Sequence, residues 1–170
     1  KGVVVKHLIR ETIKTALENK KIISVDPKFN NFFEYQHVTV IKPNLKEAEE
    51  AMGLRLSNDD DINSAGKRLL EKLTAQNVLL TRGEKGMSLF ESNGKTLHLP
   101  TKALKVSDVS GAGDTVIATL TMALSSGATI REAASLANYA GGIACSYTGI
   151  VPVQLNELKL SILDDINNQN

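Results

Sequence analysis

The segment Asp108-Val109-Ser110-Gly111-Ala112-Gly113-Asp114 runs straight into the apolar stretch Thr115-Val116-Ile117-Ala118, and this junction restricts the fold more than any other part of the chain. Its two glycines sit where an extended segment would hand over to a helix. Glycine lets a backbone turn sharply, approach a ligand closely and point successive N–H groups to one side. A helix starting there adds the positive end of its dipole. The junction therefore predicts a strand, loop and helix that together hold developing negative charge, with the Asp114 carboxylate placed to take a proton from an attacking hydroxyl. Phosphoryl transfer to an alcohol needs that combination of positioning and charge stabilisation. A simpler reading stays open at this point, a glycine-containing loop whose acidic residue satisfies free amides at a helix start.

The rest of the chain alternates in period. Apolar residues at Leu8, Ile9, Ile13, Ala16 and Leu17 predict a helix within 5–19. Residues 21–26 and 37–42 predict strands stopped by Pro27 and Pro43. Residues 44–52 predict a helix ended by Gly53, and a second helix runs to Leu73 from a cap at Ser57 or Asn58. A strand is expected over 78–81, ending at Arg82-Gly83, and a hairpin over 87–99 about Asn93-Gly94. Helices follow over 111–125 and 130–146. The second is rich in Ala and Gly and so suited to close packing. A last helix opens near Pro152, and the tail from Asn167 is expected to fray. Strands alternating with helices predict an α/β layered fold, with a largely parallel sheet and helices on both faces. In such sheets ligands bind beyond the carboxyl ends of the strands. Pro43-Asn44, Arg82-Gly83 and the glycine loop are each expected to follow a strand end.

Three further groups are candidates for chemistry. Asn44 and Glu47, in Lys42-Pro43-Asn44-Leu45-Lys46-Glu47, fit a reciprocal helix cap. They equally fit an oxygen pair that holds Mg²⁺ through water, since Mg²⁺ keeps much of its hydration shell. Thr81-Arg82-Gly83-Glu84-Lys85-Gly86 fits a plain turn, or a loop lying along a nucleotide with Arg82 reaching a phosphate. Lys28 follows a strand end and is either solvated or a phosphate contact. Asn138 lies inside an apolar helix, where its type is unfavourable. His7, His37 and His98 have no metal-ligand spacing and receive no role.

Taken together, Asp108–Asp114, Asn44-x-x-Glu47 and Thr81-x-Gly83-x-x-Gly86 resemble the signatures of the ribokinase-like (phosphofructokinase-B) carbohydrate kinases. The resemblance implies ATP as phosphoryl donor, Mg²⁺ as its counterion, Asp114 as catalytic base and the amides of Gly111, Ala112 and Gly113 as an anion hole. It implies Asn44, Leu45, Lys46, Glu47, Thr81, Arg82, Gly83, Gly86 and Asn138 on the nucleotide, with Asn44 and Glu47 orienting Mg²⁺ through water. Lys28 and Asp108 fall on the substrate side. The strings Val25-Asp26-Pro27-Lys28, Lys42-Pro43-Asn44, Thr81-Arg82-Gly83-Glu84-Lys85-Gly86-Met87-Ser88-Leu89, Leu97–Thr101 and Gly113-Asp114-Thr115-Val116-Ile117 are similar to the branch that acts on a heptose 7-phosphate. In that branch the acceptor is the anomeric hydroxyl and the product feeds lipopolysaccharide synthesis. Residues 1–170 then correspond to the C-terminal, nucleotide-binding half of the kinase domain, without the half that carries the sugar contacts and the lid. A homodimer is expected for the complete enzyme. Another sugar acceptor, or a nucleotide-binding fragment without activity, are the competing readings.

Composition narrows the partners. A net charge of +1 over 170 residues favours neither nucleic acid nor an anionic membrane surface. Only three tyrosines, four phenylalanines and no tryptophan are available to stack on bases. No apolar run reaches the ~20 residues of a membrane span. The single cysteine, Cys145, cannot form an internal disulfide and reads as a small buried apolar residue, which points to a reducing, cytoplasmic setting. The chain opens on Lys1-Gly2 without an initiator Met and reads as part of a longer polypeptide.

Overall fold

Helix boundaries follow the short-range chemistry of the caps. Asn44 and Asn58 each accept the amide three residues on, from Glu47 and Asp61, and those carboxylates bond back to the cap amides. Gly53 ends the first of these helices in the left-handed region, at φ +63°. Thr129 and Glu132 form a third such pair. The computed structural model describes residues 2–28, 30–103 and 106–168. By its internal contacts the chain divides into two units, Lys1–Gly83 with Met87–His98, and Glu84–Gly86 with Leu99–Asn170.

The first unit contains α1 (Lys6–Glu18), β1 (Ser24–Val25), a 3₁₀ turn at Phe32–Glu34, β2 (Val40–Ile41), α2 (Leu45–Met52), α3 (Asp59–Leu73), β3 (Asn77–Thr81) and β4 (Met87–Glu91). β5 (Thr96–Leu99) runs on into the second unit. The sheet order is β1-β2-β3-β4-β5. β1, β2 and β3 are parallel, and β4 returns antiparallel to β3. The predicted hairpin is present, with Gly94 at φ +84° and Glu91 N–H bonded to the Lys95 carbonyl at 2.9 Å. β1 and β2 are shorter than expected. Ile23 gives its amide to the Thr39 hydroxyl rather than to a backbone carbonyl, and His37 sits at φ +61°, so the ladder closes only beside the two prolines.

Side chains alternate across the sheet. Ile41, Val78, Leu80 and Phe90 share a cluster with Ile9 and Ile13 of α1 and with Ile62, Ala65, Leu69 and Leu73 of α3. Val40, Leu79 and Leu89 fall on the opposite face and are buried as well. Burial on both faces explains the near-continuous apolar run of β3, and each such side chain contributes about 1.5–3 kcal/mol. α3 closes on the sheet because Gly66 has no side chain. A Cβ there would lie 2.3 Å from the Phe90 ring.

The second unit holds α4 (Ala112–Ser125), α5 (Ile130–Ser146) and α6 (Leu155–Asn168). α4 and α5 pack on one another, and Val116 and Leu120 of α4 are buried, as are the small residues Ala133, Ala134, Ala137, Ala140, Gly141, Gly142 and Ala144 of α5. Cys145 is only half-buried. α6 starts later than expected. The Gln154 carbonyl accepts its first helical bond, from Leu158 at 3.0 Å, so Pro152 stays outside the first turn. The helix continues through Asn168, and the last two tail residues lie outside the described residues. Among the described residues, no helix is long and apolar enough to cross a membrane.

Candidate active site

Three parallel strands end side by side in the first unit. Thr81 forms a parallel bridge with Asn44, and its amide donates to the Pro43 carbonyl at 3.0 Å. β1 ends one residue before Asp26, β2 one residue before Lys42. Asn44 therefore starts α2 at a strand end, as expected. The Asn44 Oδ1 accepts the Glu47 amide at 2.8 Å, and Glu47 Oε2 accepts the Asn44 amide at 2.9 Å. Glu47 Oε1 is left facing Lys28 Nζ at 3.8 Å, and Lys28 is 79% exposed. So the cap and the oxygen-pair readings are compatible: one carboxylate oxygen closes the cap, and the other has, among the described residues, only a screened, exchangeable lysine. Hard oxygen donors of this kind suit a hydrated Mg²⁺, and among the described residues no three His, Cys, Asp or Glu side chains converge into a ready-made cage. Leu45 turns into the core and Lys46 lies out in solvent beside Glu50.

Arg82 does not project freely. Its guanidinium donates to Ser88 Oγ at 3.1 Å and pairs with the Asp59 carboxylate at the start of α3. Ser88 Oγ continues to His98 Nδ1 at 2.9 Å, which gives that histidine a structural partner. Gly83 opens a 3₁₀ turn through Lys85 at φ +60°, and its α-carbon faces open space.

In the second unit the glycine loop is built as predicted from Gly111 on. Gly111 is the cap of α4 at φ +78°, a conformation suited to glycine, and Asp114 lies exposed in the first helical turn. Among the described residues Asp114 has no hydrogen bond or ion pair, so its carboxylate is uncommitted. The Ala112 amide makes a long turn bond to the Val109 carbonyl at 3.3 Å, and the Thr115 amide bonds Gly111 at 2.9 Å. The strand expected just before the loop is not found among the described residues, and Leu104 and Lys105 lie outside them. Instead the Ser107 and Asp108 amides both donate to the Cys145 carbonyl at the end of α5, at 2.8 and 3.3 Å.

Asp108 has both oxygens occupied. Oδ1 accepts Ser110 N–H at 2.9 Å and Oδ2 accepts Gly149 N–H at 3.1 Å. The Ser110 bonds first, then the Gly149 amide, hold its carboxyl below the usual carboxylate range. A depressed folded value stabilises the native loop above the unfolded pKa, and that contribution disappears as pH falls through the folded value. We expect the Ser110 and Gly149 amides to be protected from exchange at neutral pH, and their protection factors to fall on acidification below the ordinary Asp range, relative to the same titration of Asp108→Asn. Equal pH responses in both proteins would remove Asp108 as the clasp.

Gly86 and Asn138 both serve the stretch that follows β5. Gly86 sits at φ +80°, and a Cβ there would lie 2.1 Å from the Leu99 carbonyl oxygen. Asn138 is buried and donates to the Pro100 carbonyl at 2.7 Å, which satisfies an amide that the helix interior would otherwise strand. Sequence reasoning gave no role to Lys42 and Asp26. They form an ion pair at 3.2 Å in which Lys42 is buried and Asp26 partly exposed, and the only signal was a charged residue closing the β-rich run His37–Ile41.

A sequence profile for the pfkB family carbohydrate kinases matches residues 4–155, and the chain belongs to that family. Among curated proteins it is 42% identical over 158 residues to the bifunctional protein HldE of Geobacter sulfurreducens, and 43% identical over 159 residues to that of Caulobacter vibrioides. These alignments cover 93% of the chain and 32% and 33% of the relatives, so the chain spans about a third of their length. Among solved structures, phosphofructokinase-2 of Escherichia coli in complex with substrates and products superposes with a TM-score of 0.83 at 19% identity, over 95% of this chain and 53% of that one. Ribokinase of Arabidopsis thaliana, complexed with ribose and ATP, gives 0.79 at 23%, over 92% and 53%. The fold is ribokinase-like.

Proposed function

We propose that this chain is the nucleotide-binding half of an ATP-dependent sugar kinase domain. Its acceptor is the anomeric hydroxyl of D-glycero-D-manno-heptose 7-phosphate. The observation that carries the reading is Asp114, exposed and uncommitted in the first turn of a helix capped by a left-handed glycine, inside the family signature. The heptose acceptor draws support from the likeness to the HldE proteins and from the Thr81–Leu89 string.

In the proposed reaction Asp114 accepts the proton of the sugar hydroxyl as that oxygen bonds to the γ-phosphorus and the bond to ADP breaks. The Gly111 and Gly113 amides, with the α4 dipole behind them, stabilise charge on the transferring group. Ala112 contributes once its long turn bond is exchanged for the phosphoryl oxygen. Asp108 keeps the loop in shape through Gly149. Asn44 and Glu47 would hold Mg²⁺ through water, and the ion would neutralise charge on the phosphates. Gly86 and Asn138 support the nucleotide side by fixing the 99–101 backbone. The complete enzyme is taken to be a cytoplasmic homodimer.

The test is turnover by the full-length protein with Mg²⁺–ATP and heptose 7-phosphate, fructose 6-phosphate or ribose, followed by phosphorus NMR. A new anomeric phosphate on the heptose alone, with ADP, is the expected result. Preference for another sugar would leave the kinase reading and overturn the acceptor. Nucleotide binding without transfer to any sugar would favour the inactive module.

A further inference from the structure

His98 has no part in the reaction as derived so far, yet the fold places it at the end of a row of polar side chains. In the β3–β4 register Ser88 stands opposite Leu80, so it shares a face with Arg82, two residues on, at the diagonal distance that long side chains span. β5 lies next in the sheet and adds His98 to the row. Arg82 donates to Ser88 Oγ at 3.1 Å, and Ser88 Oγ meets His98 Nδ1 at 2.9 Å. The other arm of the guanidinium pairs with Asp59 at the start of α3. The Phe90 ring, edge-on to the imidazole at a centroid distance of 6.4 Å, steadies its plane.

The row has one direction. Arginine has donors and no acceptor, so Ser88 Oγ accepts from Arg82. Ser88 is fully buried, and among the described residues its oxygen meets only Arg82 and His98. Its own hydrogen therefore goes to His98 Nδ1, which must be bare, and the imidazole proton sits on Nε2. Stability does not account for the arrangement. The Arg82 side chain is 8% exposed and its Nε is buried without a partner, while Asp59, which neutralises it, is 73% exposed. A buried charge held in that way is weak evidence for a stabilising role. Position supplies another reason. Arg82 lies between Thr81 and Gly83, and among the described residues no other side chain of 81–86 makes a hydrogen bond or ion pair.

We propose that His98 is a positioning residue of the nucleotide site, acting through Ser88 and Arg82 to hold the Thr81–Gly83 turn in its binding conformation. The proposal rests on the kinase reading above, with that turn lying along the nucleotide, and it gives Arg82 an anchoring part in place of a phosphate contact. By accepting the Ser88 hydrogen, His98 leaves the Ser88 lone pairs to the guanidinium. The guanidinium in turn fixes the backbone from which Gly83 departs at φ +60°. A Cβ at Gly83 would meet only open space, so packing there supplies no restraint of its own.

The experiment compares the full-length protein with its His98→Leu and His98→Asn variants. Leucine removes the acceptor, and asparagine returns an oxygen near the place of Nδ1. Both changes fall on an exposed residue, and thermal unfolding is recorded for each. Mg²⁺–ATP is titrated by calorimetry, and KM for ATP and kcat are measured with heptose 7-phosphate. His98→Leu is expected to raise the dissociation constant and KM roughly 2–10-fold, the range of one net hydrogen bond, with kcat little changed. His98→Asn should recover most of that loss. Proton–nitrogen correlation spectra of the unaltered protein at alkaline pH should show the His98 proton on Nε2. A proton on Nδ1 would reverse the row and overturn the proposal. Unchanged ATP affinity in His98→Leu, or equal losses in both variants, would also overturn it and leave the kinase reading intact. If the unaltered protein binds no Mg²⁺–ATP, the kinase reading and the proposal fall together. Should His98→Leu fail to fold, the spectrum decides. The His98 resonances should shift on saturation with Mg²⁺–ATP, and unmoved resonances would overturn the coupling.

Discussion

Asp114→Asn should lower kcat of the full-length enzyme by at least ~10²–10⁴-fold, the range typical of losing a general base. Shape and volume are retained, while the negative charge and the ability to accept a proton are lost. Because Asp114 is exposed and without a partner among the described residues, the fold should hardly register the change. The one stabilising contribution at risk is the favourable placement of an acid in the first turn of α4, worth about 0.3–1 kcal/mol. Nucleotide affinity should stay close to that of the unaltered enzyme, since no derived contact to the phosphates uses this carboxylate. Turnover measured beside calorimetric ATP binding checks both parts. Near-normal kcat would show that the base lies elsewhere, and a matching collapse of ATP affinity would show that Asp114 acts in binding.

Gly86→Ala should be the most damaging single-methyl change in the 81–86 loop. Alanine must adopt φ +80°, which costs roughly 1–2 kcal/mol. Its Cβ would also sit 2.1 Å from the Leu99 carbonyl oxygen and 2.6 Å from the Thr101 amide nitrogen. Both obstacles are backbone, so no rotamer change relieves them, and overpacking of this sort adds about 1–3 kcal/mol. Gly83→Ala is the control. Its φ is +60° but its surroundings are open, so only the conformational cost of about 1–2 kcal/mol applies. Denaturant unfolding of the two variants should therefore separate them by the overpacking contribution, with Gly86→Ala the less stable. Equal midpoints would mean that the 99–101 backbone yields at little cost, and would remove the reason given for glycine at this position.

The features legible in the sequence are those decided within a few residues. Asn44 with Glu47 and Asn58 with Asp61 are reciprocal caps whose partners are three apart, so α2 and α3 start where the pattern predicts. Gly53 and Asn93-Gly94 end a helix and turn a hairpin through backbone conformations that few other residues adopt. The small residues of α5 announce close packing, and a Cβ at Gly142 would indeed lie 2.7 Å from the Lys102 carbonyl carbon. The glycine loop, too, states its chemistry locally, because the left-handed Gly111 and the first-turn Asp114 are neighbours in the chain.

What tertiary structure decided lies across long separations. Local pattern overstates β1 and β2, because the Thr39 hydroxyl takes a bond that the ladder would have used. Arg82 reads as a free cation, yet folding brings it to Asp59, 23 residues away, and to Ser88. Asp108 reads as a substrate contact until Gly149, 41 residues on, takes its second oxygen. Lys102 meets Asp165 across 63 residues, and Tyr139 joins the same carboxylate. Lys42 is an ordinary lysine until the register of β1 against β2 buries it beside Asp26. Caps and turns are bonds between near neighbours, so composition and spacing determine them. The commitment of a charged side chain depends on which distant group reaches it first, and only the packed chain settles that.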